Sequence, residues 1–282
     1  QDYVPPVVAP TSQATNLIFS NSVSGEVKNS ILSWTASHDA ERYLVLRKTS
    51  SSPTFAPADN IEYTAGTTQG DAYVVYSGDA VTATDANLSA GIYYYKIYAY
   101  NGSGGSSKYL TANPLSGYTI FSTDGTVNIP NTGTDPVSTG FPNAGVNITF
   151  PNGTSGTDLT VTKTNSVPAS NFAALPGVKG MKNLYFTITS DPSSAGTYTL
   201  ILDFSSLTGM DEAKWNNFKI MKRTNVSSPW QDVTQSPLNG TITNRQTDGV
   251  WGKFTITGLS SFSEFGGGEG AETIIVTSNS ET

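Results

Sequence analysis

The chain has 282 residues, 37% hydrophobic and only 13% charged, with 15 Lys+Arg against 22 Asp+Glu and a formal charge of −7. It holds no Cys and one His, which excludes thiol nucleophiles, disulfides, Cys-ligated zinc, iron–sulfur clusters and poly-His metal sites. The acidic balance argues against nucleic acid, whose phosphates need clustered Lys and Arg, and no apolar run approaches the roughly 20 residues of a transmembrane helix.

At about 100–200 residues per domain, the length predicts two domains. Residues 1–9, rich in Val and Pro, read as an extended lead-in. No basic-then-apolar leader stands at Gln1, so a mature form or an excised piece is expected. Short strands are then predicted at Asn16–Phe19, Ser30–Thr35, Arg42–Lys48, Ala72–Tyr76, Val81–Thr84 and Ile92–Tyr100, separated by Ser-, Pro- and Gly-rich turns. Leu32 and Trp34 share one face of their strand and place an indole in the core. Alternation along the Tyr-rich strand sends Tyr93, Tyr95, Ile97 and Ala99 one way and Tyr94, Tyr98 and Tyr100 the other.

Leu88-x4-Tyr93-x-Tyr95-x-Ile97-x-Ala99-x-Asn101-Gly102, with Leu32-x-Trp34 upstream, resembles the fibronectin type III fold. That resemblance covers residues 10–118 and implies a tyrosine corner at Tyr93, whose hydroxyl would bond backbone just upstream. The segments Ala9–Ala14, Tyr43–Lys48 and Tyr93–Gly102 are similar to fibronectin-type modules of secreted Bacteroidota proteins. A fold of this kind implies no chemistry.

The second half is again β in character, with strands predicted at Val146–Phe150, Asp158–Thr162, Leu184–Thr189, Tyr198–Phe204, Phe218–Arg223, Val250–Thr257 and Phe262–Phe265. Single helical turns are predicted at Ser170–Leu175 and Met210–Trp215. Leu200–Phe204, Trp230 and Ile256–Phe265 resemble the β-domain that precedes the sorting domain in type IX-secreted Bacteroidota surface proteins. The resemblance implies export by that route. Gly266–Gly270 reads as a flexible linker, followed by a tail in which Thr273–Thr277 could pair as one strand.

Candidate chemistry is sparse. His38-Asp39 is the one place to anchor a Ser-His-Asp system, but the segment reads as a polar turn and no Gly-x-Ser-x-Gly elbow exists. Asp203, Asp211, Glu212 and Glu264 are the carboxylates to weigh as a glycosidase pair, and nothing in the sequence pairs them across a cleft. Asp124, Asp135, Asp158 and Asp248 are loop carboxylates for calcium, without an Asp-x-Asp spacing. Asn-x-Ser/Thr triplets at Asn87, Asn101, Asn147, Asn152, Asn225 and Asn239 are no more than a Ser/Thr-rich chain yields by chance.

Aromatic side chains give the best hint of binding. Tyr94, Tyr98 and Tyr100 would form a row at steps of about 7 or 14 Å, which suits stacked sugar rings. The same row can instead bury against a neighbouring domain or the 53–70 loop, which carries Phe55 and Tyr63. Trp215, Trp230 and Trp251 suit a binding face or a core edge equally.

The expectation is an all-β fold of two tandem β-sandwich domains, the first fibronectin type III-like: lead-in 1–9, sandwiches 10–118 and 119–266, and a linker and tail 267–282. Trp34, Leu88, Tyr93, Phe262 and Phe265 are assigned to the core, and Tyr94, Tyr98, Tyr100 and Trp251 to ligand contact. The function expected is a non-catalytic extracellular or cell-surface spacer, adhesion module or interaction scaffold, with no cofactor and no metal. A carbohydrate-binding accessory module is the alternative, and a subunit of a surface filament or lattice the next. Partners would be other domains of a parent protein, cell-surface components, a glycan or further copies of the chain.

Overall fold

A computed structural model describes residues 5–24, 27–122, 125–168, 177–192, 196–247 and 249–271. The first half forms strands β1 (Thr15–Ser24), β2 (Val27–Thr35), β3 (Arg42–Thr49), β4 (Thr68–Gln69), β5 (Ala72–Gly78), β6 (Thr82–Leu88), β7 (Gly91–Asn101), β8 (Lys108–Tyr109) and β9 (Leu115–Phe121). The second half forms β10 (Thr126–Ile129), β11 (Val137–Phe141), β12 (Val146–Phe150), β13 (Thr157–Thr164), β14 (Tyr185–Asp191) and β15 (Tyr198–Asp203). After these come a short helix, α1 (Glu212–Asn216), and β16 (Phe218–Arg223), β17 (Gln231–Asp232), β18 (Thr241–Thr247), β19 (Val250–Leu259) and β20 (Glu264–Glu269). The predicted turn at Met210–Trp215 is α1, started by the Asp211 carboxylate, which accepts a hydrogen bond from the Lys214 N–H at 2.9 Å. The turn expected at Ser170–Leu175 and the strand expected at Thr273–Thr277 lie outside the described residues.

The strands form one sheet in the order β1–β2–β6 and another in the order β10–β13–β14–β20–β16–β17. A third runs through both halves as β18–β19–β15–β12–β11–β9–β7–β3–β5–β4. Strand β9 is where the halves join. It pairs antiparallel with β7, from Gly91 opposite Phe121 to Ile97 opposite Leu115, and parallel with β11, from Tyr118 opposite Val137 to Phe121 opposite Gly140. A boundary between residues 118 and 119 therefore falls inside one hydrogen-bonded strand.

Alternation along β9 divides its side chains between two cores. Phe121 enters the first-half core with Leu17, Phe19, Leu32, Trp34, Tyr43, Tyr93 and Tyr95. Tyr118 and Ile120 enter the second-half core, and Ile92 and Tyr94 of β7 pack beside them. Gly117 faces β1, where a β-carbon would come within 2.9 Å of Leu17 and of the Pro136 carbonyl. Its lack of a side chain lets β1 cross closely.

Trp34, Leu88, Tyr93 and Phe265 are buried. Phe262 is half-buried, stacked on Tyr198 at 4.1 Å and edge-on to Phe150. The Tyr93 hydroxyl donates to the Ser89 carbonyl at 3.0 Å. Behind it, buried Asp85 accepts from Arg47 Nη1 at 2.8 and 3.0 Å and from the Tyr95 hydroxyl at 2.8 Å. Burial pushes the Asp85 carboxyl up, and Arg47 pulls against that shift.

The Gly-rich run corrects the sequence reading most sharply. Gly266, Gly267 and Gly268 are buried within β20, which pairs with β14 on one side and β16 on the other. The segment at 179–182 runs close beside that strand: the Lys182 N–H donates to Gly267 O at 2.8 Å and the Lys179 N–H to Glu269 O at 2.9 Å. A β-carbon at Gly268 would overlap the Gly180 carbonyl, and one at Gly267 would overlap the Phe218 ring. These glycines serve close packing, not flexibility. Gly267→Ala is expected to cost about 1–3 kcal/mol through overpacking, with the denaturant slope unchanged. Chemical unfolding checks this, and an unaltered midpoint would contradict the assignment.

Candidate functional site

Tyr98 and Tyr100 point away from the β1–β2–β6 sheet, as alternation predicts, but they are not open to a ligand. They are 2% and 0% exposed. The loop at 50–70 closes over them, and they share a third apolar cluster with Leu44, Leu46, Tyr63, Val74 and Tyr109, with Phe55 alongside. Tyr100 stacks on Tyr109 at 4.6 Å, Tyr109 meets Tyr63 edge-on at 5.7 Å, and Tyr63 meets Phe55 at 5.5 Å. The Tyr100 hydroxyl accepts from Arg42 Nε at 2.9 Å, and the Tyr98 hydroxyl donates to Phe55 O at 3.4 Å. Half-buried Tyr94 lies against Tyr118 at 4.7 Å, at the seam between the halves. The expected sugar-stacking row is therefore core, because burying so many tyrosine faces is more favourable than leaving them in water.

Asp71 fastens that loop. Its carboxylate accepts from Lys48 Nζ at 2.9 Å, from the Thr54 and Phe55 N–H groups and from the Thr54 hydroxyl. The Lys48 hydrogen bond, with these backbone and hydroxyl donors, holds the Asp71 carboxyl well below the usual carboxylate range.

The His38 turn gathers more polar groups than the sequence reveals. Ser12, just before β1, places its Oγ 3.3 Å from His38 Nδ1 and 2.9 Å from Ser37 Oγ. Asp39 Oδ1 lies 3.5 Å from that same His38 Nδ1. A triad needs the hydroxyl on one ring nitrogen and the carboxylate on the other, so this cluster lacks the relay geometry. Asp39 instead accepts from the Thr11 hydroxyl at 2.6 Å and its N–H at 2.7 Å, and these bonds hold its carboxyl well below the usual range. It ties the segment before β1 to the turn after β2.

Asp203, Asp211, Glu264 and Asp158 also have structural partners. Asp203 accepts from the Ser205 N–H and hydroxyl, Asp211 caps α1, and Glu264 pairs with Arg223. Glu212 is exposed in the first turn of α1. Asp158 accepts from Asn128 Nδ2, while Asp124 and Asp248 lie outside the described residues. Among the described residues, no group of three or more His, Cys, Asp or Glu is placed to hold a metal ion.

Trp215 and Trp230 are buried, Trp230 beneath the Arg223 guanidinium at 4.6 Å. Trp251 differs. It is half-buried and lines a groove of about 300 Å³ with Asn216, Thr243, Asn244, Arg245 and Gln246. Strand β18 supplies most of that wall, at the edge of the long sheet among the described residues. Its register against β19 breaks between Ile242 and Asn244 and again between Asn244 and Gln246. Such bulges re-aim side chains at a sheet edge. The Asp248-Gly249 dipeptide between Thr247 and Val250 is a hairpin signal that the sequence offered for this site.

No protein-family model matches the chain, and neither the curated proteins nor the solved structures give a match. Among the described residues, no helix is long and apolar enough to cross a membrane.

Asp71→Ala is expected to free the Thr54–Phe55 turn and raise proteolytic cutting within residues 53–70, together with dye binding to the uncovered tyrosines. The depressed carboxyl means that the Asp71 contribution is present above the ordinary aspartate pKa of about 3.9 and is lost as the pH falls below it. Limited proteolysis from pH 7 down to pH 2 reads both effects. Equal cutting of variant and parent at pH 7 would contradict the fastening role.

Proposed function

We propose that the chain is a non-catalytic structural module of a secreted, surface-displayed bacterial protein, acting as a rigid spacer that holds neighbouring domains or partners apart. The observation that carries this reading is the shared strand β9. Its backbone is paired with β7 along Leu115–Phe121 and with β11 along Tyr118–Phe121, and Gly117–Phe121 are buried. Tandem domains joined by a flexible peptide move independently by default, whereas these halves could separate only by breaking a sheet.

The fibronectin type III resemblance of the first half is supported by β5–β3–β7–β9 lying opposite β1–β2–β6 and by the Tyr93–Ser89 bond. Display through the type IX route rests on resemblance in the second half, from Leu200–Phe204, Trp230 and Ile256–Phe265. The two register breaks along β18 blunt that edge against strand addition by another copy, which favours a spacer over a filament or lattice subunit.

Small-angle scattering of the free protein is expected to fit one fixed particle, unchanged across ionic strength. A profile that requires an ensemble of two independently moving lobes would overturn the proposal.

A further inference from the structure

We propose that the groove between α1 and the β18–β19 hairpin binds a neutral saccharide, with Trp251 as the stacking wall and Asn216, Thr243, Asn244 and Gln246 as the hydrogen-bonding wall. Saccharide binding here is separate from the spacer role: scattering tests one and a titration tests the other.

The argument begins with the volume. About 300 Å³ is at the lower bound of small-molecule sites and suits one or two sugar rings rather than a peptide or an extended cofactor. The chemistry of the wall is the second point. Asn216, Asn244 and Gln246 each carry an amide that both donates and accepts, and Thr243 adds a hydroxyl. A sugar presents adjacent hydroxyls that also donate and accept, so paired amides match it. The third point is the indole: Trp251 packs in part against the second-half core and also lines the groove, so that the part of the ring left open there supplies apolar surface for the C–H side of a pyranose beside those polar groups.

Arg245 decides between neutral and anionic ligands. Its Nη1 donates inward to Phe218 O at 2.6 Å and to Trp215 O at 3.3 Å, and its guanidinium lies over the Phe254 ring. The cation is thus committed to backbone carbonyls and an aromatic face. It braces the groove floor and leaves amides and hydroxyl as the recognition groups. The local backbone supports the same picture: the Asn244 carboxamide oxygen accepts from the Gln246 N–H at 3.0 Å, fixing the bulge that presents both side chains.

The test is tryptophan fluorescence and calorimetric titration of the full chain with cellohexaose, mannohexaose, maltohexaose and xylohexaose, with hexagalacturonate as the charged comparator. At least one neutral hexasaccharide should bind saturably, and more tightly than hexagalacturonate. Trp251→Ala should weaken that binding about tenfold or more. Gln246→Ala and Asn216→Ala, which leave the core untouched, should each weaken it about two- to tenfold with an unchanged melting temperature. The proposal is overturned by absence of saturation with every neutral hexasaccharide, by tighter binding of hexagalacturonate, or by affinities that Gln246→Ala and Asn216→Ala leave unchanged.

Discussion

Strand β9 is the constraint on which the molecule depends. A strand usually finishes one sandwich and hands the chain on through a loop. Here Leu115–Phe121 pairs with β7 on one edge and its Tyr118–Phe121 part pairs with β11 on the other, so one sheet runs through both halves. The backbone bonds are only part of the seam. Asn21 Nδ2 donates to Thr119 Oγ1 at 2.7 Å and reaches Ser138 Oγ at 3.3 Å, and the Ser138 hydroxyl donates to Asn147 Oδ1 at 2.9 Å. These polar contacts tie β1 to β9 and β11 on one face, while Tyr94, Tyr118, Ile92 and Ile120 fill the other. Sliding the halves would break the ladder, the polar network and the apolar contacts together.

In a chain so poor in charge, several carboxylates hold separate segments together. Carboxylates act as fasteners: Asp39 on Thr11 before β1, Asp71 on the loop over the tyrosines, Asp85 from β6 to Arg47 of β3, Asp211 on α1 and Glu264 across to Arg223. Removing one partner from a buried pair such as Asp85–Arg47 strands the other and costs about 3–5 kcal/mol. Spending acids on such ties is coherent with a scaffold. The amide-bearing wall beside Trp251, in which the Asn244 carboxamide oxygen already accepts from the Gln246 N–H, sits at the sheet edge among the described residues.

Much of this was legible in residue order. Alternation placed the Tyr-rich strand and both of its faces correctly, and Phe218–Arg223 and Val146–Phe150 match β16 and β12 residue for residue. Three features were not. Tyr98 and Tyr100 have the same alternation whether water or a loop covers them, so their burial depends on Phe55 and Tyr63 returning from far away in sequence. Gly266–Gly268 look like a linker because glycine marks flexibility and close packing alike, and only the close approach of 179–182 distinguishes them. Strand β9 was missed as a strand because pairing on a second edge leaves no local trace in the residues. The groove at Trp251 shares that difficulty, since bulges in β18 set which side chains converge there.

Native-state hydrogen exchange across the junction tests the shared strand most directly. Amides of Tyr118–Phe121 should exchange only through global unfolding, at the same free energy as the central amides of β7 in one half and β12 in the other. Exchange of those junction amides at a much lower free energy, with the two halves unfolding as separate cooperative units, would contradict the account.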